Sequence, residues 1–356
     1  MEFENEVCEL YGERMHKKSK KKFRGFVKSV VGSMGYDFKI EKSLTAKNIV
    51  IGNPEKADYI ITAHYDTPPR LPKFFVKHML LYCLIALPAI MLGLNYLLPE
   101  ILLAVSAPLK VFEVLSYALP VANLGICAGL LGHVFGMLGN ANKKNYNDNS
   151  SGVLTILNMM EKYKDEPAEI KDRFCFVFTD NEEKGLFGGF SFAKRHKKGL
   201  KNKTFVNLDC VGKGDQFNLY YFGKNEPNIV KELKVKENGK YSFKPVRSGL
   251  MSMSDHLAFK KHDHVCLLSV DKKNNKSLYS QIHSANDTSL DRENIDFVIK
   301  TLDDALISGE SARIKEKIKD KKILQFFPTN YGVTEEKEAT MYSLLFLFDY
   351  LNILSL

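Results

Sequence analysis

The chain reads as an α/β protein with a mostly parallel central sheet flanked by helices and interrupted by an apolar helical hairpin. Three observations predict this. Short apolar runs bounded by turn residues alternate with segments of helical period, the pattern of strand–helix units. Several of those runs end on Asp, Glu or His, at the strand termini where open α/β sheets carry their chemistry. Between two such units the composition shifts to long stretches without charge. A chain of 356 residues can bury a full core, as one large domain or two small ones.

Residues 1–36 read as a basic amino-terminal helix, with Gly25 a candidate interruption and Gly32 and Gly35 the breakers that end it. The run His16–Arg24 (HKKSKKKFR) holds much of the net charge of +9. Such a run is ordinarily a solvated helix face, and it also suits an anionic membrane surface. No zinc-finger spacing or aromatic RNA-binding motif accompanies it, so nucleic acid is not an expected partner. The six cysteines form no CxxC pair, which argues against a disulfide framework, and the charged amino terminus lacks a signal-peptide pattern.

Strand-like sequence follows at Asp37–Ile40 and Asn48–Ile51, then Asp58–Ala63 (DYIITA), a short apolar run of the kind found in central strands. It delivers HYDTPPR. Alternation puts residues i and i+2 on one side of a strand, so His64 and Asp66 can share a site, although a strand-end His beside a turn Asp is also commonplace.

Met79–Leu98 is then twenty residues without charge, and Val114–Asn142 has none apart from a protonatable His133. Twenty apolar-rich residues meet the length of a bilayer core. Lys73 and Lys77 precede the first run, and Lys143 and Lys144 follow the second. Basic flanks at both outer ends favour a hairpin over 76–139 with cytoplasmic ends. A soluble apolar lid or a dimerisation hairpin would fit the same composition. The expectation is a membrane location with the remainder, 37–75 and 140–325, facing the cytoplasm. The segment 340–356 is apolar with a single charge, Asp349. It reads as a helix packed on the domain or lying in the interface.

Beyond the hairpin, Asp148 sits in a polar turn before a helix over Ser150–Tyr163, for which Ser150 or Ser151 could serve as N-cap. Arg173–Phe178 is a buried strand that runs into FTDNEEKGLFGG. Glu182 and Glu183 therefore stand at its carboxyl end and can point into one small volume, each with a different role; in isolation the same pair is an acidic turn. Thr204–Leu208 is another strand, delivering Asp209. Strands are also expected at Phe217–Phe222 and His264–Val270, and helices at Leu186–Lys197, Pro227–Val235, Ser254–Lys260 and Asp291–Ile307. His283 lies in QIHSANDTSLDREN. His64, Asp66, Asp148, Glu182, Glu183, Asp209 and His283 should converge on one sheet edge. Two imidazoles and several carboxylates suit zinc, with manganese or cobalt as substitutes. No GxSxG and no Cys in a comparable turn argue against a nucleophile triad.

The blocks AHYDT, NDNSSGV, DNEEKGLFGG, NLDCVG, SDHLAF and IHSANDT, in that order over roughly residues 40–310, resemble the di-zinc aminopeptidases, whose relatives include glutamate carboxypeptidase II and the glutaminyl cyclases. The resemblance implies two zinc ions: Asp148 bridging, His64 and Asp209 completing one site, Glu183 and His283 the other. It implies Glu182 as general base, Asp66 as the group orienting His64, and a cis peptide at Asp148–Asn149. Two cations about 3.5–4 Å apart can polarise a peptide carbonyl and activate a shared water, and one carboxylate must stay free to take the proton. The expected function is a membrane-associated zinc exopeptidase, an aminopeptidase acting on peptides. A carboxypeptidase or other amide hydrolase, and a non-catalytic membrane scaffold, are the alternatives. The absence of tryptophan disfavours the cyclase branch. Ser254, Asp255 and His256 match a block near the substrate pocket of the family, where packing and substrate contact are both open. Asp287, four residues after His283, is either its support or a cap. His262 and His264 read as surface residues beside a strand start.

Overall fold

A computed structural model describes residues 3–70, 140–236, 238–249, 252, 254–273 and 281–307, with scattered positions between 71 and 139. The hairpin expected at 76–139 and the apolar segment 340–356 lie outside the described residues, apart from those scattered positions. Among the described residues no helix is long and apolar enough to cross a membrane.

The elements, in order, are α1 (Lys17–Ser33), β1 (Phe38–Lys42), β2 (Lys47–Ile51), β3 (Tyr59–His64), α2 (Gly152–Tyr163), β4 (Phe174–Thr179), α3 (Phe187–Arg195), β5 (Thr204–Leu208), β6 (Gln216–Tyr221), α4 (Asn228–Lys234), β7 (Ser242–Arg247), β8 (Asp263–Val270) and α5 (Arg292–Leu306). The eight strands form one sheet in the order β1-β2-β4-β3-β5-β8-β6-β7. The central strands β4, β3, β5 and β8 run parallel, and β6 pairs parallel with β7. Antiparallel pairings join β1 to β2, β2 to β4, and β6 to β8.

Burial explains the central strands. Every residue of β4 (FCFVFT) is buried, as expected of a parallel strand covered on both faces. Fully burying each of Phe176, Val177 and Phe178 contributes about 1.5–3 kcal/mol. One face carries Val50, Ile60, Cys175, Val177 and Phe205 against Phe192 of α3 and Phe259. Helix α2 buries Val153, Leu154, Ile156, Leu157, Met159 and Met160 and packs against β3 and α5.

Residues 1–36 are not one helix. A single helical turn, Glu6–Leu10, is separated from α1 by Tyr11–His16. Gly12 sits in the break because a Cβ there would meet the Cys8 carbonyl oxygen at 2.3 Å and that of Lys143 at 3.0 Å. The basic run is not wholly solvated either. Lys20 is buried on Asp180 at 2.6 Å, and Arg24 donates to the Tyr65 hydroxyl at 2.7 Å. Removing one partner of a buried pair such as Lys20–Asp180 costs about 3–5 kcal/mol, so α1 is pinned to the core. Strand β7 (SFKPVR) has no counterpart among the strands expected from the sequence. Its Pro245 and charged residues hide the strand pattern, and they are tolerated because β7 is the sheet edge.

The order β4-β3-β5 makes the carboxyl end of β3 a switch point, since the chain leaves β3 for one side and returns to the other. His64 pairs with Thr179 across β3 and β4, and Asp209 follows β5 directly.

Gly214, which lies between β5 and β6, has φ +124°, and a Cβ there would lie 2.4 Å from the Val270 backbone. Gly214→Ala is expected to destabilise the fold by about 1–3 kcal/mol, read as a lower denaturation midpoint. An unchanged midpoint would contradict the packing of this turn on β8.

Candidate metal centre

All seven predicted residues come together at the carboxyl edge of β3, β4 and β5. His64 ends β3. Its Nε2 lies 3.4 Å from Asp148 Oδ1 and 3.6 Å from Asp209 Oδ1. On the other side of Asp148, its Oδ2 lies 3.0 Å from His283 Nε2, which is 3.6 Å from Glu183 Oε2. Three overlapping groups have ligand atoms within 4.8 Å of one another: His64–Asp148–Asp209, Asp148–Glu183–His283 and His64–Glu182–Glu183. Asp148 is common to the first two, so its oxygens face two separate donor sets.

Several local features hold these side chains. The Asp148–Asn149 peptide is cis, as expected from the resemblance. The Asn149 side chain donates to the Leu208 carbonyl and accepts from Cys210 N–H, tying the Asp148 turn to both flanks of Asp209. Ser151 occupies the N-cap position of α2, but its hydroxyl donates to Asn147 and accepts from Val211 N–H instead of capping. Asn181, Leu186, Cys210 and His283 all have φ between 55° and 60°. Left-handed backbone costs a non-glycine residue on the order of 1 kcal/mol, and here it flanks or includes three of the ligand turns, as backbone outliers at functional sites do.

Asp66 has two tasks. Its Oδ1 accepts from Glu182 N–H at 3.0 Å, and the same oxygen is 3.7 Å from His64 Nδ1. The Asp66 backbone carbonyl is nearer to that nitrogen, at 3.1 Å. This residue therefore fixes the Glu182 turn as well as the His64 ring. Asp287 is not a support for His283. Its two oxygens accept from Asn147 N–H and Asp148 N–H, at 2.8 and 3.0 Å, and so buttress the shared carboxylate.

The electrostatics are those of a cation site. Burial pushes the Glu182 carboxyl well above the usual carboxylate range; His64 works against this, while Glu183 and Asp209 add to it. Burial pushes Glu183 up to about 8, opposed by His283 and reinforced by Asp148. For His64 and His283, burial alone would lower the pKa, but the facing carboxylates outweigh it, raising His64 well above its usual value and His283 to about 9. Glu183 Oε1 is buried without a hydrogen-bond partner among the described residues. An orphaned carboxylate oxygen beside two imidazoles and three more carboxylates fits a divalent metal of the zinc class.

The remaining candidates divide. Asp255 is buried; it accepts from the Thr179 hydroxyl and from Gly189 N–H at 3.2 Å, bracing the Glu182–Glu183 turn at both ends. The Ser254 hydroxyl accepts from the Asn207 side chain. His256 is buried with its Nε2 2.9 Å from the Ser248 hydroxyl. His264 is a buried sheet residue, contrary to the surface expectation, and its Nε2 accepts from Phe222 N–H at 3.0 Å. His262 is partly exposed beside the Phe205 ring.

Fold and site together define an α/β protein with a paired histidine–carboxylate metal centre at a sheet switch point. Residues 136–302 match the model of peptidase family M28. A curated relative, the alkaline phosphatase isozyme conversion protein of Escherichia coli, is 33% identical over 99 residues; that match covers 27% of this chain and 28% of the relative. The fold is similar to that of Tannerella forsythia glutaminyl cyclase, with a TM-score of 0.56, 16% identity, and 86% of this chain and 96% of that one covered. It is likewise similar to Legionella pneumophila LapA aminopeptidase, with a TM-score of 0.51, 14% identity, and 84% of this chain and 67% of that one covered. The family match supports the resemblance carried by the sequence blocks, the solved structures share the fold, and the match and the donor set support a zinc metallopeptidase-type hydrolase.

Asp287→Ala would release two backbone N–H groups that hold the Asp148 turn. Loss of such an outer support is expected to weaken metal binding about 10–100-fold, measured by zinc competition with a chromophoric chelator. Wild-type affinity in the variant would refute the buttressing role.

Proposed function

We propose that this chain is a membrane-associated, zinc-dependent exopeptidase, and specifically an aminopeptidase. The observation that carries the reading is the pair of donor groups sharing Asp148, with Glu182 and Glu183 adjacent on one turn. His64, Asp148 and Asp209 would hold one zinc ion, and Asp148, Glu183 and His283 the second. When bound, two such ions supply Lewis-acid polarisation of a carbonyl and lower the pKa of water.

The chain's own residues do the rest. Glu182 takes the proton from the attacking water on its carboxylate and delivers it to the leaving amine. A carboxyl group whose burial favours the protonated form is suited to holding that proton between the two transfers. Asp66 keeps the Glu182 backbone in register through Oδ1 and the His64 ring through its backbone carbonyl. The surplus of carboxylates would attract the free amino group of a peptide, which favours cleavage from the amino terminus.

Membrane association rests on the uncharged runs within 76–139 and on their basic flanks. The ends of this insertion lie together. Pro69 and Ala141 form an antiparallel bridge, and Arg70 N–H donates to the Asn140 carbonyl at 2.7 Å. A hairpin rooted there would hold the site, facing the cytoplasm, beside the bilayer. Its stems join the segments that carry Asp66 and Asp148, which favours membrane-proximal peptides as substrates.

Digestion of a mixed peptide library, followed by mass spectrometry, tests the chemistry. Stepwise loss of amino-terminal residues is expected, with Glu182→Gln lowering the rate about 10²–10⁴-fold. Loss from the carboxyl end would identify a carboxypeptidase instead. No cleavage with zinc bound would point to a scaffold. The membrane reading is tested separately by fractionating cells expressing the full chain. It should sediment with membranes and need detergent for release; recovery in the soluble fraction would overturn it.

A further inference from the structure

Arg14 lies outside the segment that matches the peptidase family, in the break between the first helical turn and α1. It is fully buried, at 0% exposure. Its guanidinium packs over the Phe23 ring at 5.1 Å and uses all three nitrogens. Nη1 donates to the Val7 and Tyr11 carbonyls at 3.0 and 2.8 Å, within its own segment. Nε donates to the Tyr65 carbonyl at 2.5 Å, and Nη2 to the Ser150 hydroxyl at 2.9 Å. The Arg14 backbone N–H donates to the Thr67 hydroxyl at 2.9 Å.

These partners are not scattered. Tyr65 stands between His64 and Asp66, Thr67 follows Asp66, and Ser150 is two residues after Asp148. One rigid fork thus spans the two loops that carry His64 and Asp148, which are separated by more than eighty residues of chain. The other donor set shares Asp148, but neither Glu183 nor His283, nor any residue adjacent to them, is bonded to Arg14. The cation also lies near both Asp66 and Asp148, whose negative charge it feels.

We propose that Arg14 is a positioning residue for one half of the metal centre, setting the distance between the His64 and Asp148 loops and thereby the affinity of the His64–Asp148–Asp209 site. This rests on the metal-centre reading above. Lys in its place would keep the charge but could not reach the Tyr65 carbonyl and the Ser150 hydroxyl together.

The test is a zinc competition titration of the full chain in detergent, with the two binding steps assigned by His64→Ala and His283→Ala. Arg14→Met and Arg14→Lys are expected to weaken the step that His64→Ala removes by about ten-fold or more. The step removed by His283→Ala should move less, since of that set only the loop of the shared Asp148 is tied to Arg14. Should Arg14→Met fail to fold by circular dichroism, Thr67→Val decides, since it cuts only a tie to the His64 loop; a smaller loss in the same step is expected. Equal weakening of both steps, or weakening of neither, overturns the proposal and leaves the metal centre standing. Failure of the wild type to take up two zinc ions overturns the metal-centre reading and this inference with it.

Discussion

Carboxylates held a few ångströms apart repel one another, and burial makes the repulsion worse. Two like charges 4 Å apart cost about 4 kcal/mol at the effective dielectric of a protein surface region. Asp148, Glu183, Asp209 and Glu182 crowd one sheet edge around two imidazoles. Without a cation the chain must protonate some of these groups, which is the direction in which Glu182 and Glu183 are pushed. The arrangement suits a receptacle for positive charge, and the elements around it hold its side chains in place. The Asn149 side chain clamps the Asp148 turn to β5, Asp287 holds the backbone of that turn from the other side, and Asp255 spans the ends of the Glu182 turn.

The rear of the site is supplied with charge of the opposite sign by an unexpected element. Arg14, Lys20 and Arg24 all come from the amino-terminal segment, and all are buried. Lys20 neutralises Asp180, two residues before Glu182, and also reaches the Asn181 side chain at 2.6 Å. Arg24 bonds the hydroxyl of Tyr65, whose carbonyl receives Arg14. A run of lysines and arginines whose composition suggests a solvated face is instead divided by its helical period. Every third or fourth residue turns inward to the core, and Lys17, Lys18, Lys21, Lys22 and Lys28 remain exposed.

This division shows what could be read from the sequence and what could not. The strands that carry the site were legible because parallel strands covered on both faces are written as uninterrupted apolar runs, such as Phe174–Phe178. The ligand residues were legible because they stand where those runs stop, and six ordered blocks made the resemblance specific. The roles of Arg14 and Lys20 left no trace in the local pattern, since their partners at Tyr65, Ser150 and Asp180 are distant in sequence. The burial of His264 is not written locally, because a polar residue at a strand start looks exposed until the end of a neighbouring strand brings the Phe222 N–H to it. Strand β7 was hidden by Pro245, which only an edge position can accommodate.

The insertion between Asp66 and Asp148 poses a physical problem that the stems answer. Closing a long loop costs entropy that grows only slowly with length, by about 0.6 kcal/mol per doubling. Some seventy residues can therefore be inserted at modest cost, provided their ends stay fixed. The Pro69–Ala141 bridge and the bonds around it provide that fixity, with Asn142 N–H returning to the Pro68 carbonyl at 3.3 Å. Asn142 then bonds the Asn145 side chain and the Ser284 carbonyl, next to His283. The point where the insertion re-enters the domain is thus tied to the turn that carries a metal-site histidine. Asn142 therefore links the returning stem to the His283 turn, while Pro68 and Pro69 lead from the other stem to Asp66.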